Sequence, residues 1–204
     1  MIDKNTFFKN ENELRSDKFK KSANHEEILE RLNKALMKTK YSNKTSYDPL
    51  PILFIFGLPR SGTTLLYQLL ANCLNIGYID NISARFWLSP FFGIALSQEL
   101  RRYRKSIDFE SNLGQSTDIF GPHEFAYFWH HWLCLRDPDD LANYDDPSND
   151  IDWDGLEGVL SMMKDAFKKP LLFKTMFAAN FAKDFEIRLK NSFFIHIERD
   201  PVDV

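Results

Sequence analysis

The residues best suited to chemistry in this sequence form a glycine-bounded turn, Gly57-Leu-Pro-Arg-Ser-Gly62-Thr-Thr. Its glycine spacing is that of the phosphate-binding pattern G-x-x-x-x-G-K-[ST], but Thr63 stands where that pattern has lysine. Small residues let consecutive backbone N–H groups point at one anion, with the positive end of the following helix behind them. Arg60 adds a planar guanidinium suited to oxyanions, and Thr63 and Thr64 add hydroxyl donors. The turn predicts an anion site; a tight turn whose glycines serve geometry alone is the alternative.

The missing lysine bears on which anion the turn binds. A nucleoside triphosphate brings about four negative charges, and the enzymes that bind it in such loops answer with the lysine and Mg²⁺. A phosphosulfate carries less charge on its outer group, so it needs no metal. The turn therefore favours a phosphosulfate over ATP, and no metal ligand is predicted.

A second element, "FFIHIERDPVDV", runs from Phe193 to Val204. Together with "GLPRSGTTLLYQLL" it resembles the sulfotransferases that use 3′-phosphoadenosine-5′-phosphosulfate (PAPS), over residues from about 50 to 204. In that family the first element binds the 5′-phosphosulfate, and the second grips the 3′-phosphate. Each element stands at the end of a predicted strand, in the order that the family has.

The resemblance implies a role for particular residues. Arg199 would contact the 3′-phosphate, and Lys174 stands where the family places a lysine near the site, with an ordinary strand-end lysine as the alternative. The residues implied to bind the 5′-phosphate and sulfonate side are Arg60, Ser61, Gly62, Thr63 and Thr64, of which Arg60 is also a catalytic candidate.

The family pattern continues beyond R-D-P-x-D-V into a helix with a serine that also binds the 3′-phosphate, and into segments that cover the adenine. The sequence ends at Val204, inside this motif. We interpret the domain as incomplete at its C-terminus, either as a fragment or as a truncated gene. We expect the 204-residue chain alone to show no steady turnover of PAPS.

Sulfonate transfer requires a base that takes the proton of the attacking hydroxyl or amine. The stretch "GPHEFAYFWHHWL", Gly121 to Leu133, predicts a helix with Pro122 in its first turn and with His123 and Glu124 at its start. A helix N-terminus favours a neutral histidine and an anionic carboxylate, so both accept protons there. We predict Glu124 as the base, ahead of His123; ordinary first-turn polarity is the alternative.

The tyrosylprotein branch of the family places its glutamate base in the segment after the loop. Here that segment reads "YIDNISARFW", with Asp80 and without glutamate. Protein-tyrosine sulfation is therefore not indicated, and Asp80 is a weak substitute for the base.

Strand and helix signals alternate around these residues. "PILFIF" is a continuous apolar run, which predicts a central parallel strand buried on both faces. The fold class is α/β, a P-loop-like three-layer fold with a central parallel sheet, right-handed crossovers and a helical insert. The further predicted elements are a helix through Leu65–Cys73, strands at Ile76–Ile79, Leu171–Thr175 and Ser192–Glu198, and a helix that carries Phe181, Phe185 and Leu189.

The chain divides by composition. Residues 1–47 are a polar lead-in and one helix, with Asn24 as the predicted N-cap and an apolar stripe that packs on the core, Ile28, Leu29, Leu32 and Leu36. Residues 48–204 are the sulfotransferase-like domain. An insert of helices and loops, about 84–170, is expected to shape the substrate site.

The composition is that of a mildly acidic globular protein. The 204 residues are 44% hydrophobic with a net charge of -3, which gives no general affinity for nucleic acid. Cys73 and Cys134 lie far apart without metal spacing, which predicts buried thiols in a reducing compartment. Neither a leader's apolar region nor a membrane-spanning run is seen, so the cytoplasm is predicted. The sequence gives no indication of the oligomeric state.

Two charged stretches have simpler interpretations. "DIDWDGLEGVLS" begins like a calcium loop, but its twelfth position is Ser161 instead of glutamate, so its aspartates are predicted to cap a helix. The second stretch is a basic run, Arg101, Arg102, Arg104 and Lys105. It could attract an acidic acceptor, although a solvated helix face is the preferred interpretation.

The sequence therefore predicts an enzyme that moves a sulfonate group from PAPS to a small-molecule, lipid or saccharide acceptor with a hydroxyl or an amine. One alternative is a P-loop nucleotide kinase, which would require ATP and Mg²⁺. The other is a catalytically inactive, truncated module that only binds anions.

Overall fold

The computed structural model describes residue 12 and residues 20–39, 50–103, 118–135 and 151–200. In chain order the elements are α1 (Ala23–Met37), β1 (Ile52–Gly57), α2 (Thr63–Cys73), β2 (Gly77–Tyr78), a 3₁₀ helix (Ser83–Phe86), α3 (Pro90–Arg101), α4 (Ala126–Trp132), α5 (Trp153–Phe167), β3 (Leu171–Lys174), α6 (Phe177–Arg188) and β4 (Ser192–Ile197). These helices and strands alternate except between β2 and β3, where a 3₁₀ helix and three α-helices follow one another.

The strands form one parallel sheet in the order β2-β3-β1-β4. Phe54 on β1 lies opposite Phe173 on β3 and Phe194 on β4. The predicted α/β fold with a central parallel sheet is confirmed. The predicted β2 is shorter than expected, two residues instead of four.

Both faces of β1 are covered, as its continuous apolar sequence predicts. On one face Phe54 stacks on Phe185 of α6, with ring centroids 4.8 Å apart. On the other face Ile55 and Leu172 pack in a second cluster with Tyr67 of α2. The helices that follow β1 and β3 therefore lie on opposite faces, which leaves a crevice at the carboxyl ends of these two neighbouring strands.

Helix α1 differs from its prediction in its start and in its buried face. Its N-cap is Ser22, not Asn24. Ile28 and Leu32 of the predicted stripe are exposed, at 53% and 39%. The fully buried residue of α1 is Asn33, whose side chain donates to the carbonyl oxygen of Arg85 and accepts from the N–H of Leu88. An amide that bonds both ways fixes α1 on the 3₁₀ segment, which an apolar periodicity cannot reveal.

The helix predicted at 121–133 starts later, at Ala126. Pro122 forms an antiparallel bridge with Asp80 instead of entering a first helical turn, and Phe125 has a φ of 60°. A left-handed residue ends the extended segment and turns the chain into α4. His123 and Glu124 therefore precede the helix, and the argument from a helix N-terminus does not apply to them. The predicted apolar face is confirmed by Phe125, Phe128 and Trp129, which are buried.

Two further predictions have different outcomes. Asp152 is the N-cap of α5 and accepts from the N–H of Gly155 at 2.9 Å, so the predicted capping is confirmed for this aspartate; Asp150 lies outside the described residues. The prediction of buried thiols is wrong, because Cys73 is exposed and Cys134 is half-buried. Cys73 is the last residue of α2. In the described part of the chain, none of the helices has the length and apolar character needed to cross a bilayer.

Candidate active site

Strand β1 runs directly into the predicted anion-binding turn. A Cβ at Gly57 would lie 2.6 Å from the carbonyl oxygen of Ile197 and 2.9 Å from Ser61 Oγ, so glycine is what allows β4 and the turn to approach this closely. Gly62 caps α2 with a φ of 100°, in the region that favours glycine. Arg60 is also left-handed, with a φ of 68°. The turn thus leads into an 11-residue helix, and the first N–H groups of that helix have no acceptor within it.

A buried hydroxyl inside the turn lacks a hydrogen-bond partner in the described part of the chain. Ser61 is 8% exposed, and its Oγ atom is without a partner there. Leaving such a group unsatisfied costs roughly 1–3 kcal/mol. An oxyanion in the turn would supply the missing acceptor, so the residues present fit an anionic group with phosphate-like oxygens.

The end of β4 meets the same turn. Arg199 follows β4, and its Nη1 atom donates to the carbonyl oxygen of Arg60 at 3.4 Å, across 139 positions of sequence. Both side chains are exposed to solvent. The two sequence motifs therefore lie side by side at the carboxyl edge of adjacent parallel strands.

Lys174, the last residue of β3, joins this edge to the segment before α4. Its Nζ atom donates to Thr64 Oγ1 at 2.8 Å and to Glu124 Oε1 at 2.5 Å. The Lys174 side chain is 9% exposed, whereas that of Glu124 is 42% exposed. One nearly buried ammonium thus touches both the anion-binding turn and the predicted base.

His123 is held by its own backbone and ring. Its N–H donates to the carbonyl oxygen of Ile79 at 2.8 Å, and its Nδ1 atom accepts from the N–H of Phe125 at 2.9 Å. A neutral imidazole whose Nδ1 atom accepts carries its proton on Nε2. Taking up a second proton would therefore break the bond to Phe125.

Tyr67 of α2 contacts the segment before α4 that holds His123 and Glu124. Its hydroxyl lies 3.4 Å from the carbonyl oxygens of His123 and of Leu172. Burial raises the pKa of Tyr67 well above its usual value, so the hydroxyl remains a donor. Helix α2, β3 and the segment with Glu124 consequently meet at one buried phenol.

Asp80 lies in a buried network rather than in an open site. Its carboxylate is 1% exposed and pairs with the Arg101 guanidinium, with Nη2 2.7 Å from Oδ2. Arg101 also donates to the hydroxyl of Tyr78 and to the carbonyl oxygen of Phe120. The other groups that donate to the carboxylate are the N–H and hydroxyl of Ser83 and the hydroxyl of Ser97.

This network corrects the interpretation of the basic run. Arg101 does not lie on a solvated face, because its side chain is 28% exposed and bridges β2, α3 and the segment before α4. Arg102 is exposed and pairs with Glu99, three residues earlier on α3. Arg104 and Lys105 lie outside the described residues.

The structure thus brings the predicted site residues to one edge of the sheet, although from separate elements. The turn supplies the loop residues, β4 leads to Arg199, and the segment before α4 supplies Glu124. The contact that sequence reasoning missed is the one between Lys174 and Glu124. A lysine directly after the apolar run "LLF" was the available signal, because polar residues at the ends of parallel strands collect at the binding edge.

A comparison with family models gives a match over residues 51–204, to a family described as the sulfotransferase family. No curated protein and no solved structure matches the chain significantly.

Proposed function

Because the chain belongs to the sulfotransferase family, we propose that it takes a sulfonate group from PAPS and transfers it to a hydroxyl or an amine. The unpartnered, buried hydroxyl of Ser61 inside a glycine-bounded turn supports an anion there, and the observation that carries the choice of donor is Thr63 where ATP-binding loops have lysine. An oxyanion with several acceptor oxygens would satisfy that hydroxyl together with the N-terminal N–H groups of α2, which lack acceptors within the helix.

The donor would lie across the two adjoining motifs. The turn from Arg60 to Thr64 would hold the 5′-phosphate and the sulfonate, with the ammonium of Lys174 beside Thr64. Arg199, next to the carbonyl oxygen of Arg60, would face the 3′-phosphate. Positive charge from three side chains then replaces the metal that nucleoside triphosphates require.

The reaction is a displacement at sulfur. The acceptor oxygen or nitrogen forms a bond to sulfur while the bond from sulfur to the bridging phosphate oxygen breaks. The acceptor becomes a sulfate ester or sulfamate, and 3′-phosphoadenosine-5′-phosphate (PAP) leaves with the electron pair of the broken bond. The acceptor's proton must go to a base on the protein.

Glu124 is the proposed base. Its side chain is 42% exposed, so an acceptor can reach it. It contacts Lys174, which also donates to Thr64 in the turn proposed to hold the donor. His123 is the weaker candidate, because its Nδ1 atom is already engaged with the N–H of Phe125. The proposed acceptors are small molecules, lipids or saccharides.

A reducing compartment such as the cytoplasm is the proposed location. Cys73 and Cys134 are both free thiols, and Cys73 is exposed. An exposed thiol persists most readily where disulfides do not form.

Calorimetric titration with PAP and, separately, with Mg-ATP tests the donor. We expect PAP to bind with or without EDTA, and Thr64→Val to weaken it about tenfold or more, because a hydrogen bond to a charged group is lost. Thr39→Val is the matched control, since that hydroxyl bonds to the carbonyl oxygen of Leu36 at the end of α1. Binding of ATP that EDTA abolishes, without binding of PAP, would overturn the proposal in favour of a kinase.

A further inference from the structure

One ammonium group serves two functional groups in this site. Lys174 Nζ lies 2.8 Å from Thr64 Oγ1 in the donor turn and 2.5 Å from Glu124 Oε1. These residues come from β3, from the first turn of α2 and from the segment before α4, so their meeting is a property of the fold. The lysine side chain is 9% exposed, which limits the help that water gives in stabilising its charge.

Charge balance changes when an anion enters the turn. Without it, the carboxylate of Glu124 is the negative group that Lys174 contacts among the described residues. A phosphate group held at Thr64 would bring further negative charge within reach of the same ammonium, whose N–H groups are limited to three. Thr64 and Glu124 already use two of these N–H groups, so an anion that takes more than the third competes with Glu124 for Lys174.

We propose that Lys174 couples donor binding to the release of Glu124, an inference that rests on the proposed function. Before the donor binds, the ammonium neutralises the carboxylate and occupies Oε1. When the phosphosulfate fills the turn, Lys174 shifts its hydrogen bonds to the phosphate oxygens. The carboxylate of Glu124 then loses the ammonium that neutralises its charge at Oε1, and it becomes a stronger acceptor for the proton of the attacking hydroxyl or amine.

The coupling has a consequence for affinity. Since Glu124 competes for Lys174, its charge weakens donor binding, and linkage makes the effect reciprocal. Removing that charge should tighten the binding of PAP, but only while Lys174 is present. The carboxylate of Glu124 would thus be free of its neutralising ammonium only when a sulfonate donor is in place.

A double-mutant cycle on the full chain tests this, with PAP affinity measured by calorimetry for the wild type, Glu124→Gln, Lys174→Met and the double variant. We expect Glu124→Gln to tighten PAP binding about tenfold and Lys174→Met to weaken it about tenfold. In the Lys174→Met background, Glu124→Gln should change the affinity by less than about twofold. An equal tightening in both backgrounds would show direct repulsion between Glu124 and the anion, and would overturn the coupling.

Two further variants serve as controls for this experiment. Lys174→Arg keeps the charge, so Glu124→Gln should still tighten PAP binding in that background, even if Lys174→Met does not fold. Glu30→Gln removes another carboxylate on α1, where it is 38% exposed and pairs with Lys34. It should leave the affinity within about twofold of the wild type, because α1 is not among the elements that form the proposed donor site.

The outcomes separate the coupling from the donor assignment. If the wild type binds no PAP, the proposed function fails, and the coupling fails with it. If the wild type binds PAP but Glu124→Gln does not tighten binding, or tightens it equally without Lys174, the coupling alone fails.

Discussion

The Asp80–Arg101 pair and the Glu124–Lys174 pair both join segments that are distant in sequence, yet their surroundings differ. The Asp80 carboxylate is 1% exposed, and both of its oxygens accept hydrogen bonds from Ser83, Ser97 and Arg101. Arg101 extends the network to the hydroxyl of Tyr78. Both carboxylate oxygens of Asp80 thus accept all their hydrogen bonds from groups of the protein.

The Glu124–Lys174 pair is less complete. Glu124 is 42% exposed, and the hydrogen bond that the described residues give it is the one from Lys174. Lys174 itself is shared with Thr64. The pair therefore has acceptor positions that a ligand can use. We call it the open pair, and the Asp80–Arg101 pair the closed pair.

The difference supports the proposal that the Asp80–Arg101 pair stabilises the fold and that the Glu124–Lys174 pair takes part in the reaction. A saturated, buried pair resists a new ligand, because any ligand would have to break several hydrogen bonds. A half-satisfied pair at the edge of a sheet exchanges partners at little cost. Asp80, considered from the sequence as a substitute base, belongs to the first kind.

The largest expected effect concerns the open pair. Glu124→Gln keeps the shape of the side chain but removes its capacity to take a proton. We expect the rate of a single turnover of labelled PAPS, with a panel of hydroxyl and amine acceptors, to fall by about 10²- to 10⁴-fold. A stoichiometric single turnover is the measurement, because it reports the transfer step without the release of product.

The control for that experiment is Glu30→Gln on α1, where the carboxylate pairs with Lys34; this variant should transfer at the wild-type rate. Equal rates for Glu124→Gln and the wild type would remove Glu124 from the chemistry and return His123 to consideration. The free energy of unfolding of Glu124→Gln should lie within about 1 kcal/mol of the wild type, because Glu124 is 42% exposed and the glutamine oxygen can still accept from Lys174.

The next effect concerns the closed pair. Asp80→Asn should lower the free energy of unfolding by about 3 kcal/mol, because it leaves the Arg101 guanidinium without its charge partner. Urea unfolding followed by tryptophan fluorescence measures this. Ser97→Ala removes one hydrogen bond to the same carboxylate and should cost about 1 kcal/mol.

Equal stabilities for Asp80→Asn and Glu124→Gln would contradict the contrast between the two pairs. A Glu124→Gln protein less stable than Asp80→Asn would reverse it.

The sequence predicts the frame of this site better than its contacts. The apolar run of β1 and the glycines at 57 and 62 indicate a buried strand and an anion-binding turn, because their signals are local. Arg199 was placed at the same edge by the resemblance, and its strand lies beside β1. Local patterns thus identify what each element is.

Contacts between elements depend on the sheet order, which the sequence does not state. Lys174 and Glu124 are 50 positions apart, and Asp80 and Arg101 are 21 apart. Pairs at such separations are fixed by strand order and by how each connecting segment is held. Pro122 shows the same limit: its residue type is compatible with a first helical turn, but its bridge to Asp80 keeps it extended.

The smallest expected effect separates the hydrogen bonds of the closed pair from its charge. Burial raises the pKa of Tyr78 to about 12, while the nearby Arg101 opposes that rise. Since the folded pKa lies above the unfolded value of about 10, Tyr78 contributes stability that is complete below pH 10 and is lost as the pH rises through about 12. At pH 8, Tyr78→Phe should cost about 1 kcal/mol, because Arg101 loses an acceptor and Phe120 loses a donor.

Phenylalanine cannot ionise, so the difference in unfolding free energy between the wild type and Tyr78→Phe should shrink steadily from pH 9 to pH 12. Urea unfolding of both proteins across this range measures it, and other groups that titrate there, Tyr67 among them, are common to both proteins. A difference that stays constant with pH would show that the hydroxyl of Tyr78 ionises equally easily in the folded and unfolded chains. The closed pair would then be open to water, and the contrast with Glu124 and Lys174 would rest on hydrogen-bond number alone.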